Sequence, residues 1–178
     1  MYKYFLKIFL FFLFFATLLF QKPLEKAKPI IDNTLLTPTK YIKITSYFGY
    51  RTFKGYKPHL HNGIDLANKQ GTPVYAAQSG IVSFARFNGA YGFTILLTHD
   101  KNLKTMYCHL DPKFNVYPGQ NVSKGDLIGW IGPSILKNSK EYYWFQGAKR
   151  NGMTTGPHLH FTVIENGKYV NPLKYIKK

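Results

Sequence analysis

Beyond residue 40 the sequence consists of short runs of β-branched and aromatic residues that alternate with turn residues. The runs include KITSYFGY, GIVSFARF, GFTILLTHD and HLHFTVIENGK, and glycines or prolines stand at many of the joints between them. No stretch after residue 40 has a sustained helical stripe with capping residues. Short strands separated by turn signals are typical of all-β domains built from hairpins. We therefore expect an all-β fold.

The length and composition fit one folded domain and a short leader. A chain of 178 residues has room for a single ordinary core. Hydrophobic residues make up 45% of the chain and aromatic residues 17%, which excludes an intrinsically disordered protein. We expect the domain to occupy residues 41–178.

Residues 1–20 have the pattern of an export signal. Lys3 and Lys7 precede the apolar run IFLFFLFFATLLF at 8–20. As a helix this run extends about 20 Å, less than a hydrocarbon core of roughly 30 Å, although Lys7 can snorkel and lengthen the span. No convincing small-x-small cleavage site follows, so a signal peptide and a membrane anchor both stay open, with the anchor slightly favoured. We expect a periplasmic or cell-surface protein whose N-terminal segment contacts the membrane.

The next segment, residues 21–40, carries Pro23, Pro29 and Pro38 among lysine, threonine and asparagine. It has no sustained periodicity, which is typical of a tether. We expect a linker between the leader and the domain.

The net charge of +16 predicts affinity for a polyanion. Anionic cell-wall polymers, acidic lipid and nucleic acid all qualify, and a lysine-rich solvated surface is the alternative without a partner. Only three of the 24 basic residues are arginine, whereas readers of base edges and phosphates favour arginine. We therefore expect no nucleic-acid partner.

Cys108 is the only cysteine of the chain. An internal disulfide and a zinc site built on paired thiolates are both excluded. Any metal site must use histidine and carboxylate ligands.

Two histidine clusters carry the candidate chemistry. In PHLHF, the period of a strand places His158 and His160 on one face, with the apolar residues between and after them on the other. In HLHNGID, the Asn62-Gly63 turn lets His61 and Asp65 converge. His59 competes as a ligand, and we interpret it as a neighbour of the site, a substrate-side residue or an exposed side chain.

Two histidines and one carboxylate form a standard open zinc set that leaves a position for water. The chain has no HExxH motif, and Asp65 is the one acidic residue inside a histidine motif, so a carboxylate base is poorly supported. Histidine must supply the proton transfer instead. The candidates are His109 in MYCHL and whichever of His158 and His160 does not bind metal.

Five motifs together resemble the lysostaphin and LytM family of peptidoglycan metalloendopeptidases: TSYFGYR, HNGID, YCHL, GDLIGWIG and TGPHLHF, over Thr45 to Pro172. The resemblance implies a mostly antiparallel β-sheet sandwich with an open groove over a zinc site and a peptidoglycan peptide as substrate. It assigns zinc to His61, Asp65 and His160. It assigns catalysis to His109 and His158.

Two departures from the family pattern stand out. Cys108 replaces the small residue that more often precedes the histidine of YCHL, which is consistent with packing alone. The segment from about Pro133 to Met153 is longer than the usual connection. Its aromatic residues are candidate walls of a substrate groove, and a surface hairpin is an equal alternative. These candidates are Tyr142, Tyr143, Trp144 and Phe145.

The sequence favours a zinc-dependent endopeptidase that cuts cross-links or stem peptides of peptidoglycan. The alternative is a non-catalytic module that binds cell wall or activates another hydrolase. Relatives of that kind lack ligands, whereas this chain keeps all five positions. A nucleic-acid-binding β domain would explain the charge but leave the histidine motifs without a purpose.

Overall fold

The structure, a computed structural model, describes residues 34–52, 57–135 and 150–176. In these residues nearly all regular structure is β-strand, with two short 3-10 helices at Gly89–Tyr91 and Pro172–Lys174. The strands are β1 Lys43–Ser46, β2 Gly49–Arg51, β3 His59–His61, β4 Ile64–Ala67, β5 Pro73–Tyr75, β6 Gly80–Phe87, β7 Phe93–Thr98, β8 Leu103–Cys108, β9 Asn121–Val122, β10 Leu127–Trp130, β11 His158–Glu165 and β12 Lys168–Val170.

One antiparallel sheet carries most of the strands, in the order β1-β4-β11-β8-β7-β6-β9. Strand β12 pairs with the end of β11 through a hairpin whose turn is Asn166-Gly167. Both turn residues have positive φ, 50° and 75°, as the tight hairpin favoured by Asn-Gly requires. Two separate ribbons, β2-β3 and β5-β10, complete the described strands. The expectation of a mostly antiparallel β fold is confirmed.

Strand β11 lies inside this sheet, between β4 and β8, with the core on one of its faces and the site on the other. Its apolar residues Leu159, Phe161 and Val163 are fully buried in the hydrophobic core. The Phe161 ring packs against Tyr107 of β8, with ring centroids 5.3 Å apart. The intervening residues face the opposite side, where His160 meets His61. The alternation expected for PHLHF is therefore present.

Residues 34–42, which we call the N-terminal strap, lie along the domain. The Leu35 side chain is 2% exposed, and its backbone N–H donates to Tyr175 O at 2.9 Å. Leu36 N–H donates to Ala77 O at 2.8 Å, and Pro38 O accepts from Tyr75 N–H at 2.7 Å. Most of the strap falls within the segment expected to be a linker. The packed domain thus starts before residue 41.

In the described residues, no helix has the length and apolar character needed to cross a membrane. The predicted leader at 1–20 and the linker up to residue 33 lie outside those residues.

Candidate metal centre

Three strands bring His61, Asp65 and His160 together. His61 ends β3, and Asp65 lies in β4 directly opposite His160 in β11. Gly63 joins β3 to β4 where the chain passes close to β11. A Cβ atom at Gly63 would lie 2.9 Å from His160 Cε1 and still closer to the Phe161 carbonyl oxygen, so only glycine fits there.

The three side chains place their ligand atoms at nearly equal separations. His61 Nε2 lies 3.1 Å from Asp65 Oδ1 and 3.1 Å from His160 Nδ1. His160 Nδ1 lies 2.8 Å from Asp65 Oδ1. Ligands at 2.0–2.1 Å around a tetrahedral zinc ion stand roughly 3.3 Å apart, so a small outward movement of each atom creates that geometry. The group could hold a metal ion.

In each imidazole, the hydrogen-bond partner of the outer nitrogen, the one that faces away from Asp65, identifies the tautomer. His61 Nδ1–H donates to the Tyr47 carbonyl oxygen at 2.8 Å, and His160 Nε2–H donates to Asn62 Oδ1 at 3.1 Å. Carbonyl oxygens can only accept, so the hydrogens must be on those outer nitrogens. When such a ring is neutral, its other nitrogen, His61 Nε2 or His160 Nδ1, presents a lone pair to the Asp65 carboxylate. Three converging acceptors repel one another unless a cation lies among them, and this donor set fits zinc.

Charges around Asp65 keep it ionised. Burial alone would raise the pKa of Asp65, but His160 and His61 donate to the carboxylate whenever their facing nitrogens carry hydrogen, and this outweighs burial and holds that pKa well below its usual range. Arg51 Nη1 lies 3.7 Å from the second carboxylate oxygen, Oδ2, and donates to the Ser46 hydroxyl. Arg51 therefore lies beside Oδ2, whereas Oδ1 faces His61 and His160.

Two further histidines stand beside the ligand group. The rings of His109 and His158 have centroids 4.8 Å apart, and His158 Nε2 lies 3.6 Å from Asp65 Oδ1. His109 Nδ1–H donates to the Asn151 carbonyl and His158 Nδ1–H to the Gly156 carbonyl, both at 2.8 Å. When either ring is neutral, its hydrogen is thus on Nδ1 and its lone pair on Nε2.

His109 has an unusual backbone and an unusual pKa. It follows β8 with a φ of 59°, in the left-handed region that residues other than glycine seldom adopt and that recurs at functional sites. Burial, with a further contribution from the rings of His158 and His160, lowers the pKa of His109 to about 3. The ring is therefore neutral at physiological pH and able to accept a proton.

His59, the competing ligand candidate, does not join the ligand group, and the other sequence candidates are not all among the described residues. His59 is exposed and donates from Nδ1 to the Lys57 carbonyl at 3.2 Å. It pairs across the β2-β3 ribbon with Arg51, on the ribbon face that also carries His61. The aromatic residues Tyr142, Tyr143, Trp144 and Phe145 lie outside the described residues. Cys108 is fully buried opposite His160, consistent with a packing role.

Several residues that contact the site histidines or Asp65 could not be recognised from the sequence. Asn62 was interpreted only as a turn residue, although it bonds to His160, and Arg51 lies in the TSYFGYR motif without a role deduced for it. The carbonyl groups of Tyr47, Asn151 and Gly156 carry no side-chain signature at all. Only the three-dimensional structure identifies them.

A sequence profile described as Peptidase family M23 matches residues 59–172. This region includes all five of His61, Asp65, His109, His158 and His160.

Three known proteins illustrate the similarity. DD-carboxypeptidase/endopeptidase Mpg of Neisseria meningitidis is 36% identical over 139 residues, which make up 78% of this chain and 28% of that protein. A zinc containing peptidase from Vibrio cholerae aligns with a TM-score of 0.65 and 31% identity, over 79% of this chain and 39% of that one. The catalytic domain of lysostaphin from Staphylococcus simulans aligns with a TM-score of 0.60 and 28% identity, over 75% of this chain and 90% of that one.

These matches confirm the resemblance inferred from the five motifs. The chain aligns with little more than a quarter of the curated Neisseria relative, whereas it aligns with most of the lysostaphin catalytic domain.

Proposed function

Since the chain belongs to peptidase family M23, we propose that it is a zinc-dependent endopeptidase that hydrolyses peptide bonds of bacterial peptidoglycan. One observation carries this proposal. The facing nitrogens of His61 and His160 and the carboxylate of Asp65 converge within 3.1 Å, with two more histidines, His109 and His158, beside them. Residues with a purely structural role would not need to bring three acceptors together, because buried acceptors without a donor or cation are unfavourable.

In this proposal zinc is held by His61 Nε2, Asp65 Oδ1 and His160 Nδ1. Zinc at such an open site supplies Lewis-acid polarisation of the scissile carbonyl and activation of a water molecule. Arg51 and the Tyr47 carbonyl keep the carboxylate and the His61 ring in the orientation that ligation requires.

His109 and His158 are the proposed catalytic pair. Each neutral ring has its Nδ1 hydrogen bound to a carbonyl and its lone pair on Nε2, so each can take a proton from the attacking water. Once protonated on Nε2, the same ring becomes a donor towards the leaving amine or the developing oxyanion. The low pKa of His109 favours the prompt return of such a proton.

The substrate assignment is supported by the relatives. The Neisseria protein is called a DD-carboxypeptidase/endopeptidase, and a 36% identical protein of Vibrio cholerae is called peptidoglycan DD-endopeptidase ShyA. We propose a periplasmic or cell-surface location and contact of the leader with the membrane, from the apolar run at 8–20. The net charge of +16 would add attraction to anionic cell-wall polymers.

The test is digestion of chemically distinct peptidoglycans by the full chain, after metal removal and again after zinc addition. We expect new peptide termini, identified by mass spectrometry, only in the zinc-loaded sample. His61→Ala is the matched control and should stay inactive after zinc addition. A zinc-loaded protein that binds peptidoglycan without producing new termini would support the non-catalytic module instead.

A further inference from the structure

A chain of hydrogen bonds leads from His160 away from the ligand group. His160 Nε2–H donates to Asn62 Oδ1 at 3.1 Å, and Asn62 Nδ2–H donates to the Tyr91 hydroxyl at 2.5 Å. These two bonds link a buried candidate ligand to Tyr91 through an amide that is not part of the proposed ligand group.

Each bond in this chain has a defined direction. An amide oxygen only accepts and an amide NH2 group only donates, so Tyr91 must offer its oxygen to Asn62. Burial raises the pKa of Tyr91, although the hydrogen bond that Tyr91 accepts from Asn62 acts in the opposite direction.

Two acceptors compete for the hydrogen of His160: Asp65 Oδ1 favours it on Nδ1 as long as no cation lies between them, and Asn62 Oδ1 favours it on Nε2. The Thr162 hydroxyl also lies 3.1 Å from Nε2, but a hydroxyl rotates and can either donate or accept. Thr162 is therefore compatible with a hydrogen on either ring nitrogen. If the Asn62 amide turned round, its NH2 group would face Nε2 and would favour the tautomer with the hydrogen on Nδ1.

We infer that Tyr91 and Asn62 are positioning residues that shift His160, against the effect of Asp65, towards the tautomer with a lone pair on Nδ1, an inference that rests on the proposed zinc site. Tyr91 fixes the orientation of the Asn62 amide, and Asn62 favours the hydrogen of His160 on Nε2. The Nδ1 atom whose lone pair this tautomer makes available to a metal ion is the atom 2.8 Å from Asp65 Oδ1. Partners of metal-binding histidines commonly contribute about 10- to 100-fold in metal affinity.

The test compares Tyr91→Phe and Asn62→Leu with the parent in the full chain. Nitrogen NMR of the metal-free protein, at mildly alkaline pH, reports which imidazole nitrogen carries hydrogen, and His160→Gln assigns the His160 signals. We expect both variants to gain the Nδ1–H form of His160. Chelator competition should show zinc Kd raised about 10- to 100-fold. Asn62→Asp keeps an acceptor facing Nε2 and should retain the parental tautomer.

The inference is overturned if folded Tyr91→Phe keeps the parental tautomer and a zinc Kd within about twofold of the parent. The same Tyr91→Phe comparison decides the question if Asn62→Leu does not fold. A parent that binds no zinc, or that leaves peptidoglycan uncut, would contradict the proposed function. The NMR comparison of the metal-free proteins would still decide the role of Tyr91 and Asn62.

Discussion

Asp65 and His160 stand directly opposite each other on adjacent antiparallel strands, with Oδ1 and Nδ1 2.8 Å apart. The relative position of two candidate ligands is therefore fixed by the pairing of β4 with β11. A slip of one residue in that pairing would turn one side chain to the opposite face of the sheet. The stability of the sheet and the integrity of the site depend on the same register.

Asp65→Ala should lose both zinc and hydrolysis, because it removes the only carboxylate of the proposed ligand set. Metal analysis of the purified variant gives the zinc content per chain, and digestion of peptidoglycan gives the activity. Full zinc occupancy in this variant, with His59 or another group as the remaining ligand, would refute the assignment.

His109→Ala and His158→Ala should keep zinc and lose about 100- to 10,000-fold in hydrolysis, the usual contribution of a general acid or base. Zinc content and turnover are measured on the same preparation. His160→Ala is the contrasting variant and should lose the metal. If His158→Ala lost zinc while His160→Ala kept it, the roles within PHLHF would be exchanged.

Replacing residues 136–149 with a short Gly-Ser turn should preserve zinc content and change turnover or the choice of cross-link. The flanking Ile135 and Arg150 already pair with each other, so a short turn can join them. A second variant that also removes Asn151 should lose more activity, because the Asn151 carbonyl accepts from His109. Unchanged digestion by the first variant would mean that the segment does not act on substrate.

Stability should fall with pH below about 6.5 partly because of His99. Burial lowers the pKa of His99 from 6.5, although its bond to the Ser79 carbonyl and the charge of Asp100 act in the opposite direction. The unfolded chain therefore takes up a proton there more readily than the folded one, and its contribution is lost as pH falls. Urea unfolding of the parent and His99→Gln should show a difference in unfolding free energy that shrinks from neutral to acidic pH. A constant difference would contradict this.

Leu35→Ala should destabilise the domain by about 2–5 kcal/mol, the usual cost of truncating a buried leucine. Leu36→Ala is the matched control in the same strap, because Leu36 is 41% exposed and should change stability by less than about 1 kcal/mol. Thermal or denaturant unfolding measures both. Equal effects would show that the burial of Leu35 does not anchor the strap.

Periodicity predicted much of the fold and the placement of the histidines. The alternation in PHLHF separates His160 from Leu159 and Phe161, and the Asn62-Gly63 turn brings Asp65 near His61, as expected. The motifs identified the five candidate site residues, whose roles stay predictions.

The surroundings of the site could not be predicted in the same way. The acceptor for His109 is a backbone carbonyl 42 residues away, and any residue type provides a carbonyl. The contact of Asn62 with His160 could not be predicted, because asparagine is common in turns for local reasons and its presence there needs no further explanation. The strap could not be recognised from the sequence because its one proline, Pro38, fits a linker as well as an extended segment packed on a domain.

The candidate ligands His61 and His160 are 99 positions apart in the sequence. A cation bound between them would close a long loop of the chain and tie three strands into one unit. Binding free energy of that kind adds to folding free energy, by about 2.7 kcal/mol when free metal is 100 times its Kd. The heat resistance of the domain would then follow the metal supply around it, and a chelator would act as a denaturant.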